Sequence, residues 1–306
     1  MSRVPVHPHQ PVAALLATLA ILALLSLPAG VLAKPYGAWT AATSIESLPG
    51  SSGAVNTASV DGCPIQSPDG LSLYMASNRA GGLGGLDIWV AHRSSPDVGF
   101  GEPVNLGAPI NSAVDDFCPT PVRGKGLFFV SGRAVAGACG LGDIYFARDN
   151  PAHGWTDPVN LGCQVNSTAG EAGPSYVETD AGAWLYFSSG PEIMASPHLA
   201  DGSFGPAAPA AELNSAAADL RPNVRKGGLE IVFDSDRAGG LGGLDLWFAT
   251  RASPTDPWSA PVNGGPALNS ALNETRGSFS WDGATLLFGR APGPEGLTDI
   301  FISTRD

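Results

Sequence analysis

The sequence predicts an all-β protein built as a five-bladed β-propeller with four strands in each blade. Three observations support this fold class. One sequence unit recurs five times, each copy is followed by short strand-like runs, and the start of the chain offers a strand that the last copy lacks. The 40 Gly and 27 Pro among 306 residues disfavour a helix bundle, while 43% hydrophobic residues suffice for a buried core.

The repeated unit opens with Asn followed by Ser or Thr, and it ends with an acidic residue five positions after the Asn. Successive copies lie 55, 55, 48 and 55 residues apart. Such regular spacing is typical of a repeat architecture in which each unit packs against its neighbours. The five copies begin at Asn56, Asn111, Asn166, Asn214 and Asn269.

Four strand-like runs follow the first copy. Residues 63–67, 71–77 and 88–92 form three of them, and the fourth begins at Phe100. A Pro-Asp-Gly turn separates the first two runs, and a Gly-rich loop over residues 79–87 precedes the third. Four antiparallel strands within about 50 residues make one propeller blade.

The two ends of the chain predict how the ring closes. Residues 300–304 form only the third strand of the last blade, and residues 39–48 precede the first repeat without a blade of their own. We expect the N-terminal strand to complete the last blade. This closure would leave no sheet edge free for aggregation.

Several of these motifs resemble a known family. The turn Ser67-Pro-Asp-Gly70 and residues 73–79 and 81–89, echoed by residues 234–247, are similar to the WD-like β-propeller repeats of bacterial envelope proteins, as in TolB-like propellers. The resemblance covers nearly the whole chain after residue 33, and it implies a propeller located in the cell envelope. Such relatives carry further domains that we do not expect here, so their partners are not carried over.

The N-terminal segment has the features of a secretory signal peptide. Its apolar run, residues 12–27, follows Arg3, is short for a membrane span and leads to small residues that suit cleavage after Ala33. We therefore expect a signal peptide over residues 1–33 and a single propeller over residues 34–306, exported to the periplasm or secreted. A retained membrane anchor is the alternative. After cleavage we expect no stable membrane span.

The acidic residues of the repeats form one set, called here the ring carboxylates, which the blade layout places together at one end of the channel. We favour a structural role, in which each carboxylate accepts backbone N–H groups of its own segment. A cation site or a cluster of catalytic acids is the alternative. The set comprises Asp61, Asp116, Glu171, Asp219 and Glu274.

A second repeated feature is an Arg and an Asp that bracket the loop between the second and third strands. We expect the guanidinium to hold the loop or its Asp through charge-assisted hydrogen bonds. In the third blade Ser189 stands in place of the Arg and the loop is shorter. A phosphate cradle is a disfavoured alternative for the Gly-rich loops, because neither a helix nor a Lys accompanies them. The pairs are Arg79 with Asp87, Arg133 with Asp143, Arg237 with Asp245 and Arg290 with Asp299.

The blades differ two residues after each ring carboxylate, where Cys63, Cys118, Gly173, Arg221 and Arg276 stand. Arg221 and Arg276 are candidates to clamp a carboxylate or sulfate. The alternative is that they pair with Asp219 and Glu274. Further candidates for ligand binding follow on the same strands, namely Tyr176, Asn223, Arg225 and Trp281.

The four cysteines are expected to form disulfides, because the protein is expected to be exported. Three pairings are possible. We prefer Cys63 with Cys118 and Cys139 with Cys163, since the first two occupy equivalent positions of adjacent blades. Zinc is the alternative, but the spacing lacks a Cys-x-x-Cys motif and a nearby His. We expect no metal and no cofactor.

These observations favour a non-enzymatic binding module that presents its rim and channel to an envelope or extracellular protein or glycan. The main alternative is a glycan-active hydrolase that uses channel carboxylates, and a third is a structural propeller. The formal net charge of −12 argues against nucleic acid as a partner.

Overall fold

The computed structural model describes residues 1–2, 36–140, 142–150 and 152–306. The predicted signal peptide over residues 1–33 therefore lies, apart from its first two residues, outside the described part of the chain. Tyr36–Asp306 form one compact unit, and the description below concerns this unit. No helix among the described residues has the length and apolar character needed to cross a membrane.

Five four-stranded antiparallel sheets make up this unit, which is a five-bladed β-propeller as the sequence predicted. The chain enters through strand β1 (Thr43–Ser44) and a 3-10 helix (Ile45–Ser47). Blade 1 contains β2 (Asp61–Gln66), β3 (Ser72–Ser77), β4 (Asp87–His92) and β5 (Val104–Asn105). Blade 2 contains β6 (Asp116–Val122), β7 (Gly126–Ser131), β8 (Asp143–Ala147) and β11 (Val159–Asn160), with a hairpin of β9 (Asp149–Asn150) and β10 (Gly154–Trp155) before β11.

The remaining blades repeat this arrangement. Blade 3 contains β12 (Glu171–Thr179), β13 (Gly182–Ser189), β14 (Glu192–His198) and β15 (Ala208–Pro209). Blade 4 contains β16 (Asp219–Val224), β17 (Glu230–Ser235), β18 (Asp245–Thr250) and β19 (Val262–Asn263). Blade 5 contains β20 (Asn273–Phe279), β21 (Thr285–Ala291) and β22 (Asp299–Thr304), and its fourth strand is β1.

The ring closes as expected from the two chain ends. Strand β1 pairs antiparallel with β22, and Thr43 lies opposite Ile302 and Ser44 opposite Phe301. Trp39 packs near Phe279, with ring centroids 6.3 Å apart, so the N-terminal segment also contributes to the core of the last blade.

The Asn that opens each repeat ties one blade to the next. Asn111 accepts a hydrogen bond from the backbone N–H of Ile88 (2.8 Å) and donates one to its carbonyl oxygen (2.9 Å). The amide therefore pairs with the third strand of the preceding blade as another strand would. Asn56 makes the same pair with Ile300 across the closure of the ring. This geometry explains why the repeat requires Asn.

The two ends of the channel differ in what surrounds them. In an antiparallel blade, the segment leading into the first strand and the loop between the second and third strands lie at the same end, called here the rim face. The turns between the first and second strands lie at the other end, called the turn face.

The apolar core fills the space between blades, as where Trp89 of blade 1 packs with Leu287 of blade 5.

Candidate functional site

The ring carboxylates on the rim face are buried and fully engaged in four blades. Asp116 is fully buried and accepts hydrogen bonds from the backbone N–H (2.6 Å) and hydroxyl (2.7 Å) of Ser112. Arg133 adds an ion pair at 2.8 Å. A carboxylate held in this way neutralises a buried cation and is closed to a ligand. The same ion pair joins Arg79 to Asp61, Arg237 to Asp219 and Arg290 to Glu274.

The sequence predicted that these arginines hold the loop or its Asp, and that prediction is wrong, because the Arg79 guanidinium bonds Asp61 and the carbonyl oxygens of Ala54 and Val55 instead. Asp87 instead accepts hydrogen bonds from the backbone N–H groups of Leu83 (2.5 Å) and Gly84 (3.2 Å) and from the side-chain amide of Asn105 (2.8 Å). The loop is therefore held by its own Asp, and the Arg reaches across to the ring carboxylate. Both features are structural, but they are separate.

Blade 3 departs from this pattern because it has no arginine at its ring carboxylate. One oxygen of Glu171 accepts hydrogen bonds from the backbone N–H of Ser167 (2.9 Å) and from the hydroxyls of Ser167 (2.8 Å) and Ser189 (3.0 Å). The other oxygen is buried without a partner among the described residues. Burial therefore raises the pKa of Glu171.

The five positions where the blades differ all have a left-handed backbone, with φ between 46° at Arg221 and 58° at Gly173. Each lies at an irregularity near the start of the innermost strand, as between Gly62 and Ile65 of blade 1. In blades 1 and 2 the two side chains form the disulfide Cys63–Cys118. At Gly173 a Cβ would lie 2.5 Å from the Cα of Arg221, so glycine leaves room for its neighbour. These residues fill the channel near the rim face.

The side chain of Arg276 also fills the channel near the rim face. Its side chain is fully buried, and its guanidinium donates to the carbonyl oxygens of Gly173 (3.1 Å), Pro222 (2.9 Å) and Pro174 (3.0 Å) and to the hydroxyl of Thr120 (2.9 Å). Burial lowers the pKa of Arg276 to about 9. The guanidinium therefore binds the inner strands of three other blades.

Arg221 is also engaged inside the protein, where it pairs with Asp234. The alternative expected from the sequence, pairing of the two arginines with Asp219 and Glu274, is wrong, because Arg237 and Arg290 occupy those carboxylates. The structure brings Arg221 and Arg276 together around Asp234, whose carboxylate also accepts the backbone N–H of Arg276 at 2.8 Å.

Both preferred disulfides are present. Cys63–Cys118 joins the innermost strands of blades 1 and 2, and Cys139–Cys163 joins two rim-face segments of blade 2. The described residues contain no free cysteine, and no group of three or more His, Cys, Asp or Glu among them is arranged to hold a metal ion.

The open end of the channel lies on the turn face, where a cavity of about 280 Å³, called here the channel mouth, is lined by residues from all five blades. Four of the six ligand-binding candidates from the sequence analysis lie together here, namely Tyr176, Asn223, Arg225 and Trp281. Trp281 is 40% exposed, and the Lys226 ammonium lies 4.6 Å from the centre of its ring.

A carboxylate that the sequence analysis missed stands in this mouth. Glu178 accepts a hydrogen bond from the hydroxyl of Tyr176 (2.8 Å) and forms an ion pair with Lys125. The hydrogen bond from Lys125 lowers the pKa of Glu178, while burial and the neighbouring Glu178 raise the pKa of Tyr176. Glu178 is therefore ionised at neutral pH, and Tyr176 keeps its proton. Residues two apart on a strand share a face. The position of Tyr176 could therefore have predicted that Glu178 lies on the same side of the strand.

A larger cavity of about 710 Å³, called here the side pocket, opens between blades 2 and 3. Its floor consists of aromatic rings, with the centroid of Phe128 lying 4.5 Å from Phe146, 5.4 Å from Tyr176 and 5.9 Å from Phe204. Sequence reasoning did not find this pocket, since its walls come from strands, turns and loops of two blades that no local sequence pattern links. Lys125, Arg148, Asn160 and Gln164 add polar groups around the rings.

Comparison with known proteins shows the fold. No protein-family model matches the sequence, and no curated protein matches it. An α-L-arabinofuranosidase from Podospora anserina, solved in complex with cellotriose, is similar over 89% of this chain and 97% of its own, with a TM-score of 0.55 and 12% identity. A GH43 endo-arabinanase from Bacillus licheniformis is similar over 83% of this chain and 95% of its own, with a TM-score of 0.53 and 14% identity.

These likenesses correct the function first expected from the sequence. The non-enzymatic binding module, and the expectation that the protein is not an enzyme, rested on internal symmetry and on the family resemblance. Two solved structures that match most of this chain are glycoside-cleaving enzymes, so a five-fold repeat is no argument against catalysis. At this level of identity the likeness itself establishes the fold alone.

The family resemblance is supported only at the level of the propeller. TolB from Acinetobacter baumannii is also similar, over 79% of this chain and 53% of its own, with 14% identity and a TM-score of 0.46. A likeness of this strength carries no argument about function.

Proposed function

We propose that this protein is a glycan-active hydrolase whose substrate binds at the channel mouth on the turn face. The observation that carries the proposal is an accessible, ionised Glu178 beside aromatic rings in a concave site, in a fold shared with enzymes that cleave arabinose-containing glycans. Clefts that combine a few polar groups with apolar walls are the usual form of small-ligand sites.

The position of the site follows from the burial of the alternatives. The hydrolase first considered from the sequence used channel carboxylates, with Asp116 and Glu171 as its candidates. Both are at most 2% exposed, and Asp116 is tied to an arginine. A glycan cannot reach them while the channel is filled at Arg276. We therefore assign the reacting carboxylate to Glu178 on the turn face, and not to a ring carboxylate on the rim face.

The neighbouring groups suit a carbohydrate. Trp281 and Tyr176 offer ring faces on which a sugar can stack, and Gln66 offers an amide to its hydroxyls. Glu178, held ionised by Lys125, has the charge state of a general base or nucleophile for glycosidic cleavage. Tyr176 is a positioning residue, because its hydroxyl donates to Glu178. We assign no residue of this chain to proton donation.

We also propose that the protein is exported, in the periplasm or as a secreted protein. Two disulfides are typical of an oxidising compartment, and the N-terminal 33 residues have the pattern of a signal peptide. An exported location would bring the channel mouth into contact with extracellular glycans.

The test is hydrolysis of a glycan panel by the full chain, expressed with export so that the disulfides form. We expect release of reducing sugar from at least one polysaccharide. Glu178→Gln should abolish release while the protein still binds the same glycan. Glu102→Gln, which alters an exposed carboxylate outside the channel mouth, is the control. Absence of release from every glycan, or undiminished release by Glu178→Gln, would overturn the proposal.

A further inference from the structure

We propose that the glycan is an acidic one, a polysaccharide bearing uronic acid carboxylates, and that it lies along a single cleft formed by the channel mouth and the side pocket. This inference rests on the proposed function, because it names the substrate class of the same site. Three features support it: the two cavities are continuous, their walls are mostly basic, and two of the basic side chains are free to bind.

The two cavities share a wall. Tyr176 lines both of them, and its ring contacts the side-pocket floor through Phe128 while its hydroxyl contacts Glu178 in the channel mouth. Lys125 bridges the same boundary, since its ammonium lies 5.3 Å from the centre of the Tyr176 ring and pairs with Glu178. A chain of sugars that reaches Glu178 can therefore continue across Tyr176 into the side pocket.

The charge of these walls is opposite to that of the protein. The chain carries 16 basic and 28 acidic residues. The residues that line the two cavities include one carboxylate, Glu178, and five basic side chains, which are Arg123, Lys125, Arg148, Arg225 and Lys226. A local excess of one charge in a cleft raises the concentration of ligands of the opposite sign. The cleft therefore selects anions although the whole protein is acidic.

Some of these cations are free to bind a ligand. Arg225 is held by Glu230 at 3.0 Å and Lys125 by Glu178, so their charges are already engaged. The Arg148 guanidinium has no hydrogen-bond acceptor within the described residues and lies 6.0 Å from the centre of the Phe146 ring. Lys226 likewise contacts only a ring, that of Trp281. Arg148 therefore offers a cation to a ligand in the side pocket, and Lys226 offers one in the channel mouth.

The floor of the cleft favours a sugar over a small inorganic anion. Four aromatic rings line the side pocket, and the side-chain amide of Gln164 stands beside them as a hydrogen-bonding group. Rings provide stacking surface for the carbon face of a pyranose, amides bind its hydroxyls, and an arginine fork matches a carboxylate. These three kinds of group together fit a uronic acid residue.

The experiment compares two forms of one glycan with the exported full-length protein. The probes are hexagalacturonate and the same hexasaccharide after carboxyl reduction, titrated at low and high salt by calorimetry. We expect hexagalacturonate to bind more tightly, with an affinity that falls as salt rises. Arg148→Met and Lys226→Met should each weaken binding about tenfold, as the loss of a charge-assisted hydrogen bond would. Trp184→Ala, at an exposed ring outside the cleft, is the control.

The outcomes separate this inference from the proposed function. Equal binding of both hexasaccharides, or unchanged binding by the two Met variants, would overturn the acidic-glycan inference even if neutral glycans are hydrolysed. Salt-dependent binding of hexagalacturonate without hydrolysis of any glycan would support the ligand class while the hydrolase proposal fails. A shorter probe, digalacturonate, tests the side pocket. Phe204→Ala should weaken binding of hexagalacturonate more than binding of digalacturonate, and equal weakening of both would remove the side pocket from the cleft.

Discussion

The guanidinium of Arg276 donates a hydrogen bond to the carbonyl oxygen of Gly173, 3.1 Å away across the central channel. The two residues occupy equivalent positions of blades 5 and 3. At this position of the repeat, blade 5 has a long side chain, and blade 3 has a glycine that leaves room in the channel. This contact, together with the disulfide Cys63–Cys118, closes the channel near the rim face. Access to the channel is therefore from the turn face, where the proposed site lies.

Replacing Arg276 should destabilise the whole propeller. Arg276→Met leaves the carbonyl oxygens of Gly173 and Pro222 and the Thr120 hydroxyl without this donor inside a buried channel, while the Pro174 carbonyl keeps only the Thr120 hydroxyl as its donor. We expect a loss of about 3 kcal/mol in the free energy of unfolding. Urea unfolding measures this loss. Arg148→Met, at an exposed position, is the matched control and should change stability little. A variant as stable as the parent would show that the channel is not held by this residue.

The ring carboxylates should respond unequally to loss of charge. Asp116→Asn removes the partner of Arg133, so we expect a loss of about 3 kcal/mol at pH 7. Glu171→Gln removes a carboxylate that has no cation, so we expect stability within about 0.5 kcal/mol of the parent or above it. Thermal unfolding of the two variants checks the contrast. Equal losses would mean that Glu171 has a cationic partner after all.

The pH dependence of Glu171 has a definite sign. Because burial raises its pKa in the folded state, the folded protein binds this proton more tightly than the unfolded chain does. Its contribution to stability therefore falls as pH rises from about 4.3, where it titrates when unfolded, through its higher folded pKa. We expect the stability difference between Glu171→Gln and the parent to grow in favour of the variant over this interval. A difference that shrinks with rising pH would contradict the argument.

The seam where the ring closes offers a stabilising substitution. Ser44 stands where the fourth strands of blades 1, 2 and 4 place an Asn, and that Asn donates to the oxygen of the loop aspartate that also accepts a loop N–H. In blade 5 the matching oxygen of Asp299 accepts only the N–H of Glu295 among the described residues. Ser44→Asn should supply that donor and raise stability by about 1 kcal/mol. Thr43→Asn, one residue earlier on the same strand, is the control. No gain over the control would mean that Asp299 is reached by another donor.

The disulfides can be tested directly. Mass spectrometry of unreduced peptides should find Cys63 linked to Cys118 and Cys139 linked to Cys163. Loss of the first bridge through Cys63→Ser with Cys118→Ser should lower stability by about 2–4 kcal/mol, since it joins neighbouring blades across a long loop of chain. Peptides linking Cys63 to Cys139 would contradict the blade order itself.

Strand pairings that follow from the repeat could be predicted from the sequence. The partners of long side chains such as Arg79 could not. The closing strand followed from counting strands. The partner of Arg79 did not, because Asp61 and Asp87 are both acidic residues of the same blade, and only the register that places Asp61 opposite Ser77 brings the guanidinium to the former.

The candidate site shows the same division. Tyr176 and Trp281 were recognisable as aromatic exceptions on the innermost strands, and the structure gathers them at one mouth. Glu178 lies two residues from Tyr176 but belongs to no repeated motif, so the sequence did not mark it as functional. Lys125 comes from the turn of a neighbouring blade, 53 residues away from Glu178, and no local pattern links the two.

The sequence by itself determined the number of blades, the order of strands and the closure, because these depend on periodic features that each repeat carries in its own residues. It favoured the disulfide pairing that the structure has, without excluding the other two pairings. Only the tertiary structure decided which face of the channel is open. The channel is closed at one end because the side chains of Arg276 and Arg221 and the disulfide extend between blades. Whether they meet depends on distances in space, which the spacing of residues along the chain does not give.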